Sequence, residues 1–296
     1  MSVVLPWRRR KAAAPAAPHV LAACLAAVYN RRMGDARDFV EKHVEVDDFR
    51  IRYLEAGEGP PLVHLHGAGG LRLTPGHALL AQRHRVIALE MPGFGAEENL
   101  RTSTQAEMAA TIAAAAGTLG LHRFSLWGTS FGGKTALLLA AAEPQRVARL
   151  VLEAPAAIRP QGSRPPGGSP DEIASRLYGH PERMPPLPPR DLDAEAQIAR
   201  LVVRLRGPDR DPAFETALTT IETPTLVLFG TLDRVIPPEM GRHYKAAMPN
   251  CNLVLVYDAG HAIASERPDA FCEVVADFLE RGEAFVISRS ETLINP

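Results

Sequence analysis

Short apolar runs alternate along this chain with segments of helical periodicity, and this alternation constrains the fold more than any other feature of the sequence. Strands are predicted at 40–46, 49–55, 61–66, 85–89, 123–127, 147–152, 225–229 and 253–257. Helices are predicted at 73–83, 104–119, 132–142, 237–248 and 268–280. Buried strands separated by helices are typical of a parallel sheet that is covered on both faces. The expected fold is therefore α/β, with a mostly parallel eight-stranded sheet and helices on both sides.

The composition excludes several classes of protein. Hydrophobic residues make up 46% of the chain, which is enough for a large core and too much for a disordered protein. The 33 basic and 34 acidic side chains nearly cancel, so no nucleic-acid partner is expected. No apolar run approaches the ~18 residues of a membrane span, and no stable membrane association is expected. The three cysteines form no CxxC pair and no disulfide framework, which favours a cytoplasmic protein.

The first 37 residues differ in kind from the rest of the chain. They contain seven basic side chains and one acidic one, among many Ala and Pro residues, and are predicted to be a disordered extension. The alternative is export or lipid anchoring, because the string Leu21-Ala22-Ala23-Cys24 resembles a bacterial lipoprotein cleavage box. Pro15 and Pro18 interrupt the short apolar region, which weakens that alternative. The C-terminal tail, 282–296, has no assignment.

A helical insertion is predicted between the strands at 147–152 and 225–229. Ten of the 26 prolines fall in residues 155–190, after which helical signals return. Ser169 and Pro170 are typical of a helix start, and apolar residues recur at 198, 201, 202 and 205. We therefore expect a small helical domain at 155–220, inserted into a core formed by 38–154 and 221–281. A flexible loop is the alternative.

The sharpest motif is Gly128-Thr129-Ser130-Phe131-Gly132-Gly133, which follows a predicted strand and precedes an apolar helix. A serine in this pattern sits on a tight strand-to-helix turn, with its hydroxyl above the carboxyl edge of the sheet. A serine hydroxyl is a weak nucleophile and needs a base, which in turn needs an orienting carboxylate. His261 and Asp233 each follow a predicted strand, so the sequence predicts a catalytic triad of Ser130, His261 and Asp233.

A nucleophile of this kind also needs hydrogen-bond donors for the developing oxyanion. The backbone amide of Phe131 is one candidate, and that of Ala68, in the glycine-rich loop His66-Gly67-Ala68-Gly69-Gly70, is the other. His64 and His66 alternate along one strand and so point to opposite faces, which argues against a metal site. Neither a metal nor a cofactor is expected.

Over residues 40–281 the chain resembles the α/β-hydrolase-fold superfamily. The strings that carry the resemblance are HLHGAGG, ALEMPGFG, GTSFGG, GTLDRVIP and DAGHAIASERP. The resemblance implies Ser130 as nucleophile, Asp233 as acid, His261 as base, and the amides of Ala68 and Phe131 as oxyanion donors. It also implies that the insertion at 155–220 is the family's cap. Glu153 is an alternative acid, because some members place the carboxylate after that strand.

A serine nucleophile implies acyl transfer to water, and carboxylic-ester hydrolysis of a small molecule is the main prediction. The alternative is hydrolysis of a C–C bond in ring-fission products, since the segment FRIRYLEAGEGPPLVHLHG resembles those enzymes too. They often carry Trp after the base and Met after the nucleophile, where this chain has Ala262 and Phe131. Thioesters, lactones and amides stay open, as does the oligomeric state.

A further set of residues is predicted to contact the substrate from the oxyanion loop and the cap. The set is His66, Gly67, Gly69, Tyr178, Met184, Leu187, Ile198 and Leu201.

Two hypotheses from other classes remain. Residues 128–135 also match G-x-x-x-x-G-K-T, the phosphate-binding loop of nucleotide hydrolases, with Lys134 and Thr135 as its polar residues. A binding protein that retains the fold without turnover is the other.

Overall fold

The computed structural model describes residues 38–165, 167–187 and 191–282 in full and the backbone of 291–294. The predicted N-terminal extension, including Leu21-Ala22-Ala23-Cys24, and most of the C-terminal tail lie outside the described residues. No helix within these ranges is long and apolar enough to cross a lipid bilayer.

Nine strands in the described part of the chain form one sheet, in the order β1-β2-β4-β3-β5-β6-β7-β8-β9. They are β1 (Val40–Val46), β2 (Phe49–Ala56), β3 (Pro61–Leu65), β4 (Arg85–Leu89), β5 (Phe124–Thr129), β6 (Val147–Glu153), β7 (Thr225–Gly230), β8 (Cys251–Val256) and β9 (Glu291–Ile294). Strand β2 runs antiparallel to β1 and β4, and all other neighbours are parallel. The prediction of a mostly parallel sheet with eight strands is confirmed, and the unassigned tail adds a ninth strand at the edge beside β8.

Apolar residues on both faces explain why the central strands read as continuous hydrophobic runs. In β6, Leu150 and Leu152 belong to one core cluster, whereas Val151 between them belongs to the other. Successive side chains of a strand point to opposite faces of the sheet, so each strand feeds both cores. All three side chains are fully buried. The sheet is therefore the middle layer of a three-layer structure.

Helices supply the outer layers. They are α1 (Pro75–Leu80), α2 (Gln105–Thr118), α3 (Phe131–Ala142), α4 (Pro170–Leu177), α5 (Leu192–Leu205), α6 (Pro212–Ala217), α7 (Gly241–Ala247), α8 (Ile263–Glu266) and α9 (Pro268–Arg281). The first core cluster takes in Ile112 of α2 and Leu137 of α3, while the second takes in Leu80 of α1 and Phe271 of α9. Each face of the sheet is thus covered by its own helices.

Two predicted helices differ from the observed ones. The helix expected at 73–83 is only α1, because Thr74 takes the N-cap position and Pro75 the first helical position. The helix expected at 237–248 is divided into a 3₁₀ turn, Pro238–Met240, and α7.

The segment between β6 and β7 contains α4, α5 and α6. Helix α5 buries Leu201, Val202 and Leu205 in the first core cluster, which also contains Phe131. A Cβ added at Gly93, just after β4, would lie 2.6 Å from the Cδ2 of Leu201. The insertion therefore packs over the carboxyl edge of the sheet, next to the turn that carries Ser130. The boundaries of the predicted cap, 155–220, stay a prediction.

Candidate active site

Ser130 lies in a strained turn between β5 and α3. Its backbone has φ 52° and ψ −112°, a left-handed conformation that is costly for a residue with a side chain. The turn is held by two backbone hydrogen bonds, from the Ser130 N–H to the Glu153 carbonyl at 2.9 Å and from the Gly132 N–H to the His66 carbonyl at 3.1 Å. The start of α3 thus lies directly against the end of β3.

Gly132 is required for this close approach. A Cβ at this position would lie 2.3 Å from the Leu65 carbonyl oxygen and 2.5 Å from that of His66, and backbone oxygens cannot move aside. We expect Gly132→Ala to lower the free energy of unfolding by about 2–3 kcal/mol because it overpacks the site. Urea denaturation measures this change, and the rate of hydrolysis should fall with it.

Gly117→Ala is the matched control. It places a Cβ inside another helix, 3.7 Å from an Arg146 side-chain nitrogen. Alanine is preferred over glycine in an exposed helix interior by roughly 0.5–1 kcal/mol, so this variant should be at least as stable as the wild type. Equal stability of Gly132→Ala and Gly117→Ala would contradict the tight contact between α3 and β3.

Asp233 and His261 form a buried hydrogen-bonded pair. The His261 Nδ1 lies 2.8 Å from the Asp233 Oδ2, and the exposed fractions of the two side chains are 6% and 0%. The other Asp233 oxygen, Oδ1, accepts the backbone N–H groups of Val235 and Ile236 at 2.8 and 2.9 Å. An ionised carboxylate accepts hydrogen bonds only, so the proton of neutral His261 lies on Nδ1 and its Nε2 is left as the basic nitrogen.

The surroundings of His261 strengthen it as a base. Burial by itself lowers the pKa of the imidazole, but the negative charges of Asp233 and Glu153 outweigh burial and the pKa is raised overall.

The loop that carries His261 is fixed at two points. The Leu177 carbonyl, at the end of α4, accepts the His261 N–H at 2.8 Å, and the Glu266 carboxylate accepts the Gly260 N–H at 2.6 Å.

The fold brings the three predicted triad residues to one edge of the sheet. Ser130 follows β5, Asp233 follows β7 and His261 follows β8, and these strands are close together in the order β5-β6-β7-β8. Among the described residues, the Ser130 hydroxyl makes no hydrogen bond, so in this structure its bond to His261 is not formed. Such bonds are often long without substrate and shorten when substrate binds.

The two predicted oxyanion donors have no backbone acceptor among the described residues. Within the described ranges, neither the Ala68 N–H nor the Phe131 N–H donates to a backbone carbonyl. Gly67 packs beside the nucleophile, since a Cβ there would lie 3.4 Å from the Ser130 Cβ. Both amides are thus free to donate to a substrate oxygen near Ser130.

His66 orients this loop, because both of its ring nitrogens contact the backbone. Its Nδ1 lies 2.7 Å from the Gly67 carbonyl oxygen, and its Nε2 accepts the Met91 N–H at 3.0 Å. Burial lowers the pKa of the ring to about 4, so His66 is neutral and its Nδ1–H donates to Gly67. Because a trans peptide holds C=O and N–H in opposite directions, this bond turns the Ala68 N–H the other way. His66 has no nitrogen left for the substrate contact predicted for it.

A narrow cavity opens at Ser130. Its walls are Ala68, Gln105, Ser130, Phe131, Ala156, Arg159, Ser163, Arg164, Pro165, Val202, Arg206, Val235 and Ile236. The five cap residues predicted to bind substrate, Tyr178, Met184, Leu187, Ile198 and Leu201, are not among these walls, nor are Gly67 and Gly69. Leu201 instead packs into the core, and the backbone of Tyr178 lies against Gly260. Their substrate contacts stay predictions.

Sequence reasoning missed the arginines of this cavity. Arg159 is 4% exposed and donates to the Asp209 carboxylate at 3.0 Å and to three backbone carbonyls, while Arg206 donates to the same carboxylate at 2.7 Å. With Arg164, three arginines line the cavity, and Asp209 pairs with two of them. Their spacing along the chain, at 159, 164 and 206, carries no recognisable motif. The described residues contain no group of three or more His, Cys, Asp or Glu able to hold a metal ion.

The phosphate-loop alternative does not fit this geometry. Lys134 is buried, and its ammonium lies 3.4 Å from the Arg206 carbonyl oxygen and 5.6 Å from the centre of the Phe214 ring. Thr135 is fully buried. The amides of Gly132 and Gly133 donate to protein carbonyls, so they are not available to a phosphate.

A strained serine turn, a buried Asp–His pair and a helical insertion over a mostly parallel sheet are the features of one class of enzymes, the α/β hydrolases. The chain belongs to the alpha/beta hydrolase family, whose model matches residues 62–274.

Known proteins similar to this chain are hydrolases. A 2-hydroxy-6-oxononadienedioate/2-hydroxy-6-oxononatrienedioate hydrolase of Pseudomonas putida is 28% identical over 275 residues, covering 79% of this chain and 92% of the relative. The 2-hydroxymuconate semialdehyde hydrolase of Pseudomonas putida is 28% identical over 260 residues, covering 80% and 92%. The solved structure of a membrane phospholipase A, described as a bacterial virulence factor, is 28% identical, with a TM-score of 0.74 over 90% of this chain and 93% of that one.

The chain is thus a hydrolase. The names of its curated relatives favour the alternative prediction, ring-fission-product hydrolysis, over the main prediction of ester hydrolysis.

Proposed function

We propose that this protein is a serine hydrolase that works through an acyl-enzyme intermediate, with Ser130 as nucleophile, His261 as base and Asp233 as its orienting acid. The observation that carries the proposal is the buried Asp233–His261 hydrogen bond at the same sheet edge as the strained Ser130 turn. The backbone amides of Ala68 and Phe131 donate to no backbone carbonyl among the described residues, and both residues line the same cavity as Ser130.

The proposed cycle uses only residues of this chain and water. His261 Nε2 takes the Ser130 proton as Oγ bonds to the substrate carbonyl carbon, and the amides of Ala68 and Phe131 hold the oxyanion. The bond from that carbon to the leaving group breaks with its electron pair, and the imidazolium of His261 donates the proton that the leaving group needs. Water, deprotonated by His261, then attacks the acyl carbon and releases the acid with Ser130 restored.

The first substrate candidate is a ring-fission product whose C–C bond is hydrolysed. The curated relatives named above act on 2-hydroxy-6-oxo dienoates and a related semialdehyde, and the alignment covers 92% of their length. Those dienoates carry carboxylates, and the cavity next to Ser130 is lined by Arg164 and Arg206, and by Arg159, whose guanidinium already donates to Asp209 and three backbone carbonyls. Guanidinium groups are well suited to bind a carboxylate, so the positive wall of the cavity supports an anionic substrate.

The second candidate is carboxylic-ester hydrolysis. It is supported by the likeness to the membrane phospholipase A, which extends over 90% of this chain. Ala262 after the base and Phe131 after the nucleophile also depart from the ring-fission enzymes that the sequence resembles. We further propose that residues 155–220 act as a cap that limits substrate size, because Val202 of α5 and Arg206, the residue after α5, line the cavity.

A paired substrate assay tests these proposals. The purified protein is given 2-hydroxy-6-oxohexadienoates and, in parallel, p-nitrophenyl esters of short and long acyl groups. We expect kcat/KM for the dienoates to exceed that for the esters. The reverse order would favour ester hydrolysis, and labelling by a fluorophosphonate probe at Ser130 is expected in both cases. A protein that neither turns over any of these substrates nor labels would be a binding protein on the same fold.

A further inference from the structure

Glu153 is a second buried carboxylate at the candidate active site. It ends β6, between the strands that lead to Ser130 and Asp233, and it is 2% exposed. Asp233 already occupies the Nδ1 of His261, so Glu153 is not the orienting acid in this structure. Its role therefore needs a separate explanation.

Three donors converge on the Glu153 carboxylate. Its Oε1 accepts the Ala264 backbone N–H at 2.8 Å, and its Oε2 accepts the Trp127 indole N–H at 3.3 Å and the Thr129 hydroxyl at 2.7 Å. The indole and the amide can only donate. Both oxygens are thus used as acceptors, which is how an ionised carboxylate behaves when it is buried.

A chain of hydrogen bonds sets the direction of the Thr129 hydroxyl. The His77 Nδ1 accepts the Thr74 backbone N–H at 3.0 Å, so neutral His77 carries its proton on Nε2. That nitrogen lies 2.9 Å from the His64 Nδ1, which must accept, and the His64 Nε2–H then donates to the Thr129 hydroxyl at 3.2 Å. The Thr129 oxygen accepts this hydrogen bond, and the Thr129 O–H in turn donates a hydrogen bond to the Glu153 Oε2.

Both histidines of this chain of bonds are neutral. Burial lowers the pKa of His77 to about 3, and burial, together with the neighbouring His77, lowers that of His64 well below its usual value. Each neutral ring donates once and accepts once, so every bond in the chain runs from Thr74 towards Glu153. The chain of bonds therefore ends at Glu153 as an acceptor, and an ionised carboxylate fills this role with both oxygens.

We infer that Glu153 is held ionised in the floor of the site, as a second negative charge that stabilises the imidazolium of His261 beside Asp233. It is a positioning residue, because it acts on His261 and does not touch the substrate. This inference rests on the proposed function. The charged groups that act most strongly on His261 are Asp233 and Glu153, which favour its protonated form, and Arg176, which opposes it. Burial raises the pKa of Glu153 overall, and the three donors and His261 only partly offset this effect, so the inferred ionised state rests on the direction of the hydrogen bonds.

The test is the pH dependence of kcat/KM in Glu153→Gln. The acid side of that profile reports the ionisation of His261 in the free enzyme, since only neutral His261 is a base. Removing a nearby negative charge destabilises the imidazolium and lowers the pKa of His261. We therefore expect the acid limb to move to lower pH by about one unit, and kcat/KM at pH 7 to fall about tenfold.

Glu266→Gln is the matched control. Glu266 is also largely buried, and its carboxylate accepts the Gly260 and His180 N–H groups, so it holds the same loop as His261. It is not among the charges that act most strongly on His261. A variant that only loosens this loop should change kcat/KM, whereas the acid limb of its pH profile should stay at the same pH. An equal shift in both variants, or none in Glu153→Gln, would overturn the inference.

A second measurement uses the unmodified protein and does not depend on the fold of any variant. Nitrogen-15 NMR of histidine-labelled protein distinguishes the two neutral tautomers of each ring. We expect His64 and His77 to be neutral Nε2–H tautomers from pH 5 to 8. A protonated ring, or an Nδ1–H tautomer at either position, would break the donor chain and refute the inference. If the protein hydrolyses no substrate, the proposed function fails, while the tautomers are still measured.

Discussion

Ser130→Ala is expected to reduce kcat by about 10⁶-fold and to leave the fold intact, because the covalent step has no other nucleophile. In the free protein the Ser130 hydroxyl makes no hydrogen bond within the described part of the chain, so its removal leaves no buried partner unpaired. Steady-state assays on the best substrate of the paired panel measure the loss. Fluorophosphonate labelling should disappear in parallel, and the thermal midpoint should stay close to that of the wild type.

Ser125→Ala provides the comparison. Ser125 lies in the same strand, β5, and is also buried, but it lines a different cavity from Ser130. Its substitution should leave kcat within about twofold, as expected for a serine far from the chemistry. Residual turnover by Ser130→Ala above about a hundredth of the wild-type rate would mean that another group attacks the substrate.

Asp233→Asn is expected to lower kcat about 10⁴-fold with little change in stability. The asparagine oxygen can still accept the N–H groups of Val235 and Ile236, which leaves its NH₂ group facing the His261 Nδ1. That nitrogen must then accept, so the ring carries its proton on Nε2 and can no longer take one from Ser130. Kinetics at saturating substrate measure the effect on kcat.

Asp258→Asn controls for a charge change near the same loop. Asp258 lies three residues before His261, and its carboxylate bonds to His180 at 2.5 Å and Arg183 at 2.9 Å. Its left-handed backbone, with φ 58°, is one that asparagine adopts easily. We expect the kcat of Asp258→Asn to fall no more than a few-fold. If Asp233→Asn kept a tenth of the wild-type rate, the orienting role would pass to Glu153.

Local patterns were enough to predict the elements that carry the candidate chemistry. The turn at Ser130 could be recognised because Gly128, Gly132 and Gly133 bracket a strand end and a helix start. The pairing of Asp233 with His261 followed from a general property of parallel sheets, whose carboxyl ends meet at one edge. Each residue in these patterns can be recognised from its immediate neighbours in the sequence.

The rest depends on contacts between distant parts of the chain. The donors around Glu153 come from β5 and α8, and the bonds behind them reach His64 in β3 and His77 in α1. No spacing in the sequence marks this set. The same holds for β9, whose four residues become a strand only because the edge of β8 offers them a parallel partner.

The bond between the Leu177 carbonyl and the His261 N–H has a practical consequence for protein engineering. Directed evolution toward bulkier substrates commonly targets the segments that cover a pocket, and α4 belongs to the segment proposed as the cap here. A library that displaces the end of α4 also releases the backbone of the base, so gains in substrate range from this helix would come with losses in turnover. Positions on α5, such as Val202, change the wall of the cavity without touching His261 and are the better choice for randomisation.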